Sequence, residues 1–128
     1  MPHTEIVALC DNYPPNLEAA AALSPKAKKY SDYRKVLESP EIDGVVIATP
    51  LNWHAPMVLD ALSAGKHVFC EKSMAYSMEQ CKAIYDAYQS SDRVLYFCMQ
   101  RMFDEKYIKG IQMIHSGVIG DVVGARCH

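Results

Sequence analysis

Four short apolar runs, each set off by a stretch with helical spacing, constrain this chain more than anything else in it. They are EIVALC (residues 5–10), DGVVIATP (43–50), HVFCEK (67–72) and RVLYFCM (93–99). The second is apolar without alternation, as expected of a strand in a parallel sheet covered on both faces. AKKYS (27–31) reads as a short edge strand. Between the runs lie helical segments. NLEAAAALS (16–24) follows Pro14 and Pro15. DYRKVLES (32–39) presents Tyr33, Val36 and Leu37 on one side and stops at Pro40. The third segment covers residues 54–64, with Asn52 as a possible cap, Pro56 in its first turn and Gly65 closing it. SMEQCKAIYDAYQ (77–89) opens with a capping box, Ser77 with Gln80, and carries a stripe of Cys81, Ile84, Tyr85 and Tyr88. DEKYIKGIQMIHSG (104–117) turns Tyr107, Ile108, Ile111 and Ile114 inward, with Gly117 just past its end. DVVGARC (121–127) starts a last strand. Strand–helix alternation of this kind predicts an α/β fold, a parallel sheet with right-handed crossovers and helices on both faces.

Composition narrows the function classes. The chain has 128 residues, enough for one domain with a real core. Its net charge of -2 leaves no basic footprint for nucleic acid. No apolar run approaches the roughly 18 residues that span a bilayer. The five cysteines form no CxxC pair and the five histidines no HxxxH pair, which argues against a disulfide framework or a metal centre. Reduced core cysteines and a reducing, cytoplasmic compartment are expected.

Parallel sheets of this class bind ligands at the carboxyl ends of their strands. Those ends carry Asp11, Thr49-Pro50, Glu71-Lys72 and Gln100-Arg101. An acidic residue ending a second strand accepts hydrogen bonds from a ribose diol and repels a 2′-phosphate, which favours NAD over NADP. Asp11 is equally suited to capping the turn before NYPP. Lys72 can donate to a substrate hydroxyl or form a surface ion pair. His54, at a helix start, more often caps or packs than catalyses. Arg101 can hold a carboxylate or phosphate or make an exposed salt bridge.

The longer runs DGVVIATPLNWHAPMVLDALSAGKHVFCEKSMAYSMEQC and MQRMFDEKYIKGIQMIHSGVIGDVV resemble the glucose–fructose oxidoreductase/inositol dehydrogenase/MocA (Gfo/Idh/MocA) family of NAD(P)-dependent oxidoreductases. The ATP-x-x-x-H, AGKHV-x-x-EK and QR-x-FD steps occur in the family's order and spacing. The resemblance implies that Asp11 contacts the adenosine ribose and that Thr49, Pro50, Asn52 and His54 line the cofactor groove. It implies that Glu71 and Lys72 match the EKP motif, with the lysine near nicotinamide and substrate, and that Gln100 and Arg101 lie beside the nicotinamide. The parent would move a hydride between nicotinamide and a sugar or cyclitol hydroxyl carbon. Some relatives use bound NAD to assist glycosidic cleavage. A non-enzymatic dimerising or regulatory module is the competing reading.

Two departures from the family pattern shape the expectations. Ser73 replaces the proline of EKP. A cis bond before a residue other than proline costs about 2.5–4 kcal/mol, so the Lys72–Ser73 bond is expected to be trans. No G-x-G-x-x-G occurs, and the place for it, about 20 residues before the ribose acid, falls upstream of Met1. The chain therefore reads as a fragment lacking the first βα unit, with doubtful NAD binding on its own. Residues 1–120 would be a partial dinucleotide-binding domain and 121–128 the start of a substrate domain. In the strand order 3-2-1-4-5-6 the absent strand is central. Its neighbours, 5–10 and 44–49, are expected either to pair directly or to recruit a second copy, making a homodimer or swapped oligomer.

Overall fold

The five runs expected as strands between residues 5 and 99 each contain a strand, and among the described residues every strand pairing is parallel. The computed structural model describes residues 4–126 in two units that meet at Cys98 and Met99. The first unit holds β1 (Ala8–Cys10), α1 (Pro14–Leu23), β2 (Lys28–Tyr30), α2 (Tyr33–Leu37), β3 (Gly44–Ile47), a 3-10 turn (Leu51–Trp53), α3 (His54–Ser63), β4 (His67–Cys70), α4 (Met78–Gln89) and β5 (Leu95–Phe97). The second holds a 3-10 turn (Gln100–Phe103) and α5 (Glu105–His115).

The strands form two ladders, β1–β2 and β3–β4–β5. Among the described residues β1 and β3 do not pair, so the direct repair expected between them is not what the chain adopts. The two ladders share no strand. α2 packs on β1, β2 and α3 within the first unit.

The core lies between the larger ladder and helices α3 and α4. It gathers Ile47, Val58, Ala61, Leu62, Val68, Cys70 and Ile84, with Ile84 only 1% exposed. On the other side of the ladder, register puts Val46, Phe69 and Tyr96 in one row, with the Phe69 and Tyr96 rings stacked 5.6 Å apart. Val46 is 74% exposed, so the unbroken apolar run of β3 overstates how far that strand is buried.

Local chemistry sets the element ends. Pro14 and Pro15 take the first two positions of α1, where missing N–H groups cost little. The Asp32 carboxylate caps α2 through the Arg34 N–H at 3.0 Å. Ser77 Oγ accepts from Gln80 N–H at 3.3 Å, while Gln80 Oε1 accepts from Tyr76 N–H at 3.0 Å. The box is thus closed one residue earlier than its sequence signature implies. Asn52 is not a cap: it sits inside the 3-10 turn, and α3 starts after Trp53 with no side-chain cap. On α4, Cys81 and Ile84 turn inward but Tyr85 and Tyr88 are exposed, because the stripe that meets α3 is narrower than the apolar pattern.

In the second unit Asp104 caps α5 through Lys106 N–H at 2.9 Å. Gly117, at φ 74°, follows the last helical turn as expected. Tyr107, Ile108, Ile111 and Ile114 are exposed rather than buried. Residues 121–126 form no strand, since a strand needs a ladder partner and none is present among the described residues. Cys127, the last residue of that expected strand, lies outside the described residues.

Candidate functional site

The carboxyl ends of β3 and β4 are bound side by side. Glu71 N–H donates to Ile47 O at 2.9 Å, and Cys98 N–H donates to Cys70 O at 2.8 Å, extending the ladder past β4 and β5. Parallel pairing therefore brings Thr49-Pro50 and Glu71-Lys72 to one rim. After β3, Pro50 O accepts from Trp53 N–H at 2.9 Å and starts the 3-10 turn that leads into α3. Thr49 Oγ1 donates to Met57 Sδ at 3.5 Å.

His54 joins the two strand ends. Its Nε2 lies 2.9 Å from Thr49 O and its Nδ1 lies 2.7 Å from Ser73 O. The residue is 1% exposed. It supports the rim from beneath instead of offering a face to the groove. The Lys72–Ser73 peptide is cis, which corrects the expectation of a trans bond.

Lys72 is exposed, and its ammonium has no hydrogen bond or ion pair among the described residues. The Glu71 carboxylate instead accepts from the Lys72 backbone N–H at 3.3 Å. A surface ion pair is thus not what this lysine makes, and its three donors point to no protein acceptor.

Asp11 stands at the end of β1, where its N–H donates to Tyr30 O at 3.2 Å. Its carboxylate accepts from Tyr13 N–H at 2.7 Å and Asn16 Nδ2 at 3.3 Å. The capping role is therefore real. A carboxylate has about four lone-pair sites, so two acceptor positions are left for a diol. Burial, then the Asp32 and Asp11 carboxylates, push the neighbouring Cys10 thiol up. Burial, then Glu71, push the Cys70 thiol up to about 11.

In the second unit Gln100 and Arg101 lie in the 3-10 turn before α5. The Arg101 guanidinium sits 5.5 Å from the centre of the Tyr107 ring and forms no salt bridge among the described residues. A cation–π contact leaves its in-plane N–H donors open.

The residues present fit part of a dinucleotide. Asp11 suits a ribose diol, and Lys72 suits a hydroxyl oxygen. The helix after β1 begins with two prolines, which lack the N–H groups an anion would need. No group of three or more His, Cys, Asp or Glu able to hold a metal ion occurs among the described residues. No helix there is long and apolar enough to cross a membrane.

Sequence reasoning missed the long-range side-chain bonds. They include His54 to Ser73, Tyr33 Oη donating to Asp60 Oδ2 at 2.7 Å, Lys66 Nζ donating to Ser39 O at 2.8 Å, and Val94 N–H donating to His67 Nδ1 at 2.9 Å. These four span 19 or 27 residues. No local period signals such a pair.

A family described as "Oxidoreductase family, NAD-binding Rossmann fold" (Gfo/Idh/MocA) matches residues 1–98. The alpha-N-acetylgalactosaminidase of Shewanella oneidensis is 28% identical over 93% of the chain. The chain covers 28% of that protein's length. The scyllo-inositol dehydrogenase of Lactobacillus casei, solved with NAD(H) and scyllo-inositol, is 27% identical with a TM-score of 0.87, over 94% of this chain and 36% of that one. The WlbA dehydrogenase of Bordetella pertussis, solved with NADH and UDP-GlcNAcA, is 29% identical with a TM-score of 0.82, over 91% and 33%.

Proposed function

Since the chain belongs to the Gfo/Idh/MocA oxidoreductase family with its NAD-binding Rossmann fold, we propose that it is the cofactor-binding portion of an NAD-dependent enzyme that oxidises a sugar or cyclitol hydroxyl carbon. The observation that carries this reading is the unpartnered Lys72 ammonium on the rim that parallel pairing of β3 and β4 creates. Bound NAD would supply the acceptor for the hydride of that carbon. Lys72 Nζ hydrogen-bonds the substrate hydroxyl oxygen and, as the free amine, takes the hydroxyl proton when the carbon gives up its hydride. Asp11 accepts from the adenosine ribose, and its negative charge disfavours a 2′-phosphate. Thr49, Pro50, Asn52 and Glu71 line the groove, and His54 holds its floor. The QR-x-FD motif assigns Gln100 and Arg101 to the nicotinamide end by resemblance alone. Residues 1–120 act as the dinucleotide-binding part, and 121–128 open the substrate part. A second copy of the chain covering the unpaired edges of β1 and β3 gives a homodimer or a swapped oligomer.

Nuclear magnetic resonance titration with NAD tests the reading. Without a G-x-G-x-x-G segment in these residues, binding on the order of millimolar is expected, with signals of Asp11 and Lys72 moving first. Asp11→Ser weakens NAD binding and narrows the gap to NADP. Tighter binding of NADP than NAD, or rim signals that stay still at saturation, would overturn it.

A second reading draws on the glycosidase names among the relatives: the same rim serves an NAD-assisted glycosidase. Net accumulation of NADH with a cyclitol favours the oxidoreductase. Release of a free sugar without net NADH favours the glycosidase.

A further inference from the structure

The bonding of His54 asks for more than a packing role. Both ring nitrogens lie under 3 Å from carbonyl oxygens, Nδ1 at 2.7 Å from Ser73 and Nε2 at 2.9 Å from Thr49. Carbonyl oxygens only accept. A neutral imidazole has one N–H and one lone pair. In either tautomer, one nitrogen would turn its lone pair onto a carbonyl lone pair in a place closed to water. Rotating the ring by half a turn replaces both contacts with C–H groups. Only a ring with a proton on each nitrogen satisfies both carbonyls.

We infer that His54 is doubly protonated in the folded chain and acts as a positioning residue, a buried cationic clasp that locks the end of β3 to the Lys72–Ser73 turn. The role given to Lys72 rests on the function proposed above; the clasp itself does not. Three segments meet at this ring: the end of β3, the start of α3 and the turn after β4. The Lys72 ammonium makes no contact that would fix it. Its placement therefore depends on its backbone. The side-chain bonds to that backbone among the described residues are Glu71 to the Lys72 N–H and His54 to the Ser73 carbonyl. Of these, only His54 comes from another element.

A buried cation needs compensation, and charge-assisted bonds to carbonyls are the stronger kind. Glu71 and Lys72 share the turn with Ser73. Asp60 lies further along α3 and takes the Tyr33 hydroxyl. Glu79 opens α4, and Cys70 ends β4. Glu71 is thus the carboxylate next to the clasp in the chain.

The test uses the intact chain with nitrogen-15 in its histidines and carbon-13 in its carbonyls. Two N–H signals are expected for His54 at neutral pH, one coupled through its hydrogen bond to the Thr49 carbonyl and one to that of Ser73. A His54 nitrogen without a proton would overturn the inference. His54→Gln keeps a donor group but has a single donor nitrogen. In that variant the amide signals of Lys72 and Ser73 shift, and acylation of Lys72 Nζ changes rate, while Val68 and Leu95 of the ladder stay in place. Unmoved Lys72 and Ser73 signals in a folded His54→Gln chain would equally overturn it. If His54→Gln does not fold, the wild-type spectrum decides. Rim signals that ignore NAD, alongside two ring protons on His54, would sink the oxidoreductase reading and leave the clasp standing.

Discussion

The Glu71 carboxylate takes the backbone N–H of Lys72 at 3.3 Å and leaves the Lys72 ammonium without a protein partner. Two adjacent residues of opposite charge thus do not neutralise each other. The acid braces the turn, and the base is presented to whatever enters the rim. Acylating reagents should therefore modify Lys72 among the first lysines of the chain. Lys29, whose ammonium is 2.8 Å from Glu18, and Lys82, paired with Asp86, should react later. Because exposed ion pairs are worth about 0.2–1 kcal/mol, the spread should stay within about fivefold. Peptide mapping by mass spectrometry reads the order, and Lys72 reacting last would contradict it.

Tyr33 is the pH-sensitive tie of the fold. Burial, then its bond to Asp60, push its hydroxyl from an ordinary 10.0 up to about 12. The folded chain thus keeps the proton longer than the unfolded chain does. The stabilisation is complete below about pH 10 and disappears as pH rises toward 12. Tyr33→Phe should cost about 0.5–1.5 kcal/mol near neutral pH and flatten the loss of stability in that alkaline window. Urea melts of both proteins across the window check it.

Two glycines should respond to alanine with opposite signs. A Cβ on Gly44 would come within 3.1 Å of His67 O and 3.2 Å of His67 Cβ, at the start of the β3–β4 ladder. Backbone there cannot move aside cheaply, so Gly44→Ala should destabilise by about 1–3 kcal/mol. Gly110, inside α5, has open space around it. Gly110→Ala should stabilise by about 0.5–1 kcal/mol. Thermal melts of the two variants against the parent separate the signs.

The cysteines should be unequal toward thiol reagents. Cys70 is fully buried and its thiol is pushed up to about 11, whereas Cys10 is exposed. The thiolate is the reactive form, so Cys70 should label only when denaturant opens the chain, and Cys10 before it. Equal rates at the two sites in the native protein would refute this.

Much of the architecture is legible in the sequence, because apolar runs bounded by turn residues leave few choices. Ser77, Asp104 and Gly117 mark helix ends through chemistry local to those ends. Reading degrades where a partner decides. Tyr85 and Tyr88 fit a helical stripe yet stay exposed, since only part of α4 meets α3. Residues 121–126 have strand composition but no ladder to join among the described residues. The sequence points to Thr49 and Lys72 at the rim, and to Asp11 at the end of β1, through motif spacing. It is silent on the Lys72–Ser73 geometry and on the two bonds of His54, which depend on segments far apart in the chain.

The division of the strands into two ladders carries a consequence for how the protein opens. β1 and β2 pair in register from Ala8–Lys28 to Cys10–Tyr30 and, among the described residues, pair with none of β3, β4 and β5. α2 packs against β1, β2 and α3, and the exposed Lys28–Glu41 pair ties β2 to the segment before β3. Breathing should accordingly come in two tiers. Amide deuteration will run through β1 and β2 while Val68 and Cys70 remain sealed, so the acid that faces the ribose in our proposal rides on the part of the molecule that fluctuates most readily.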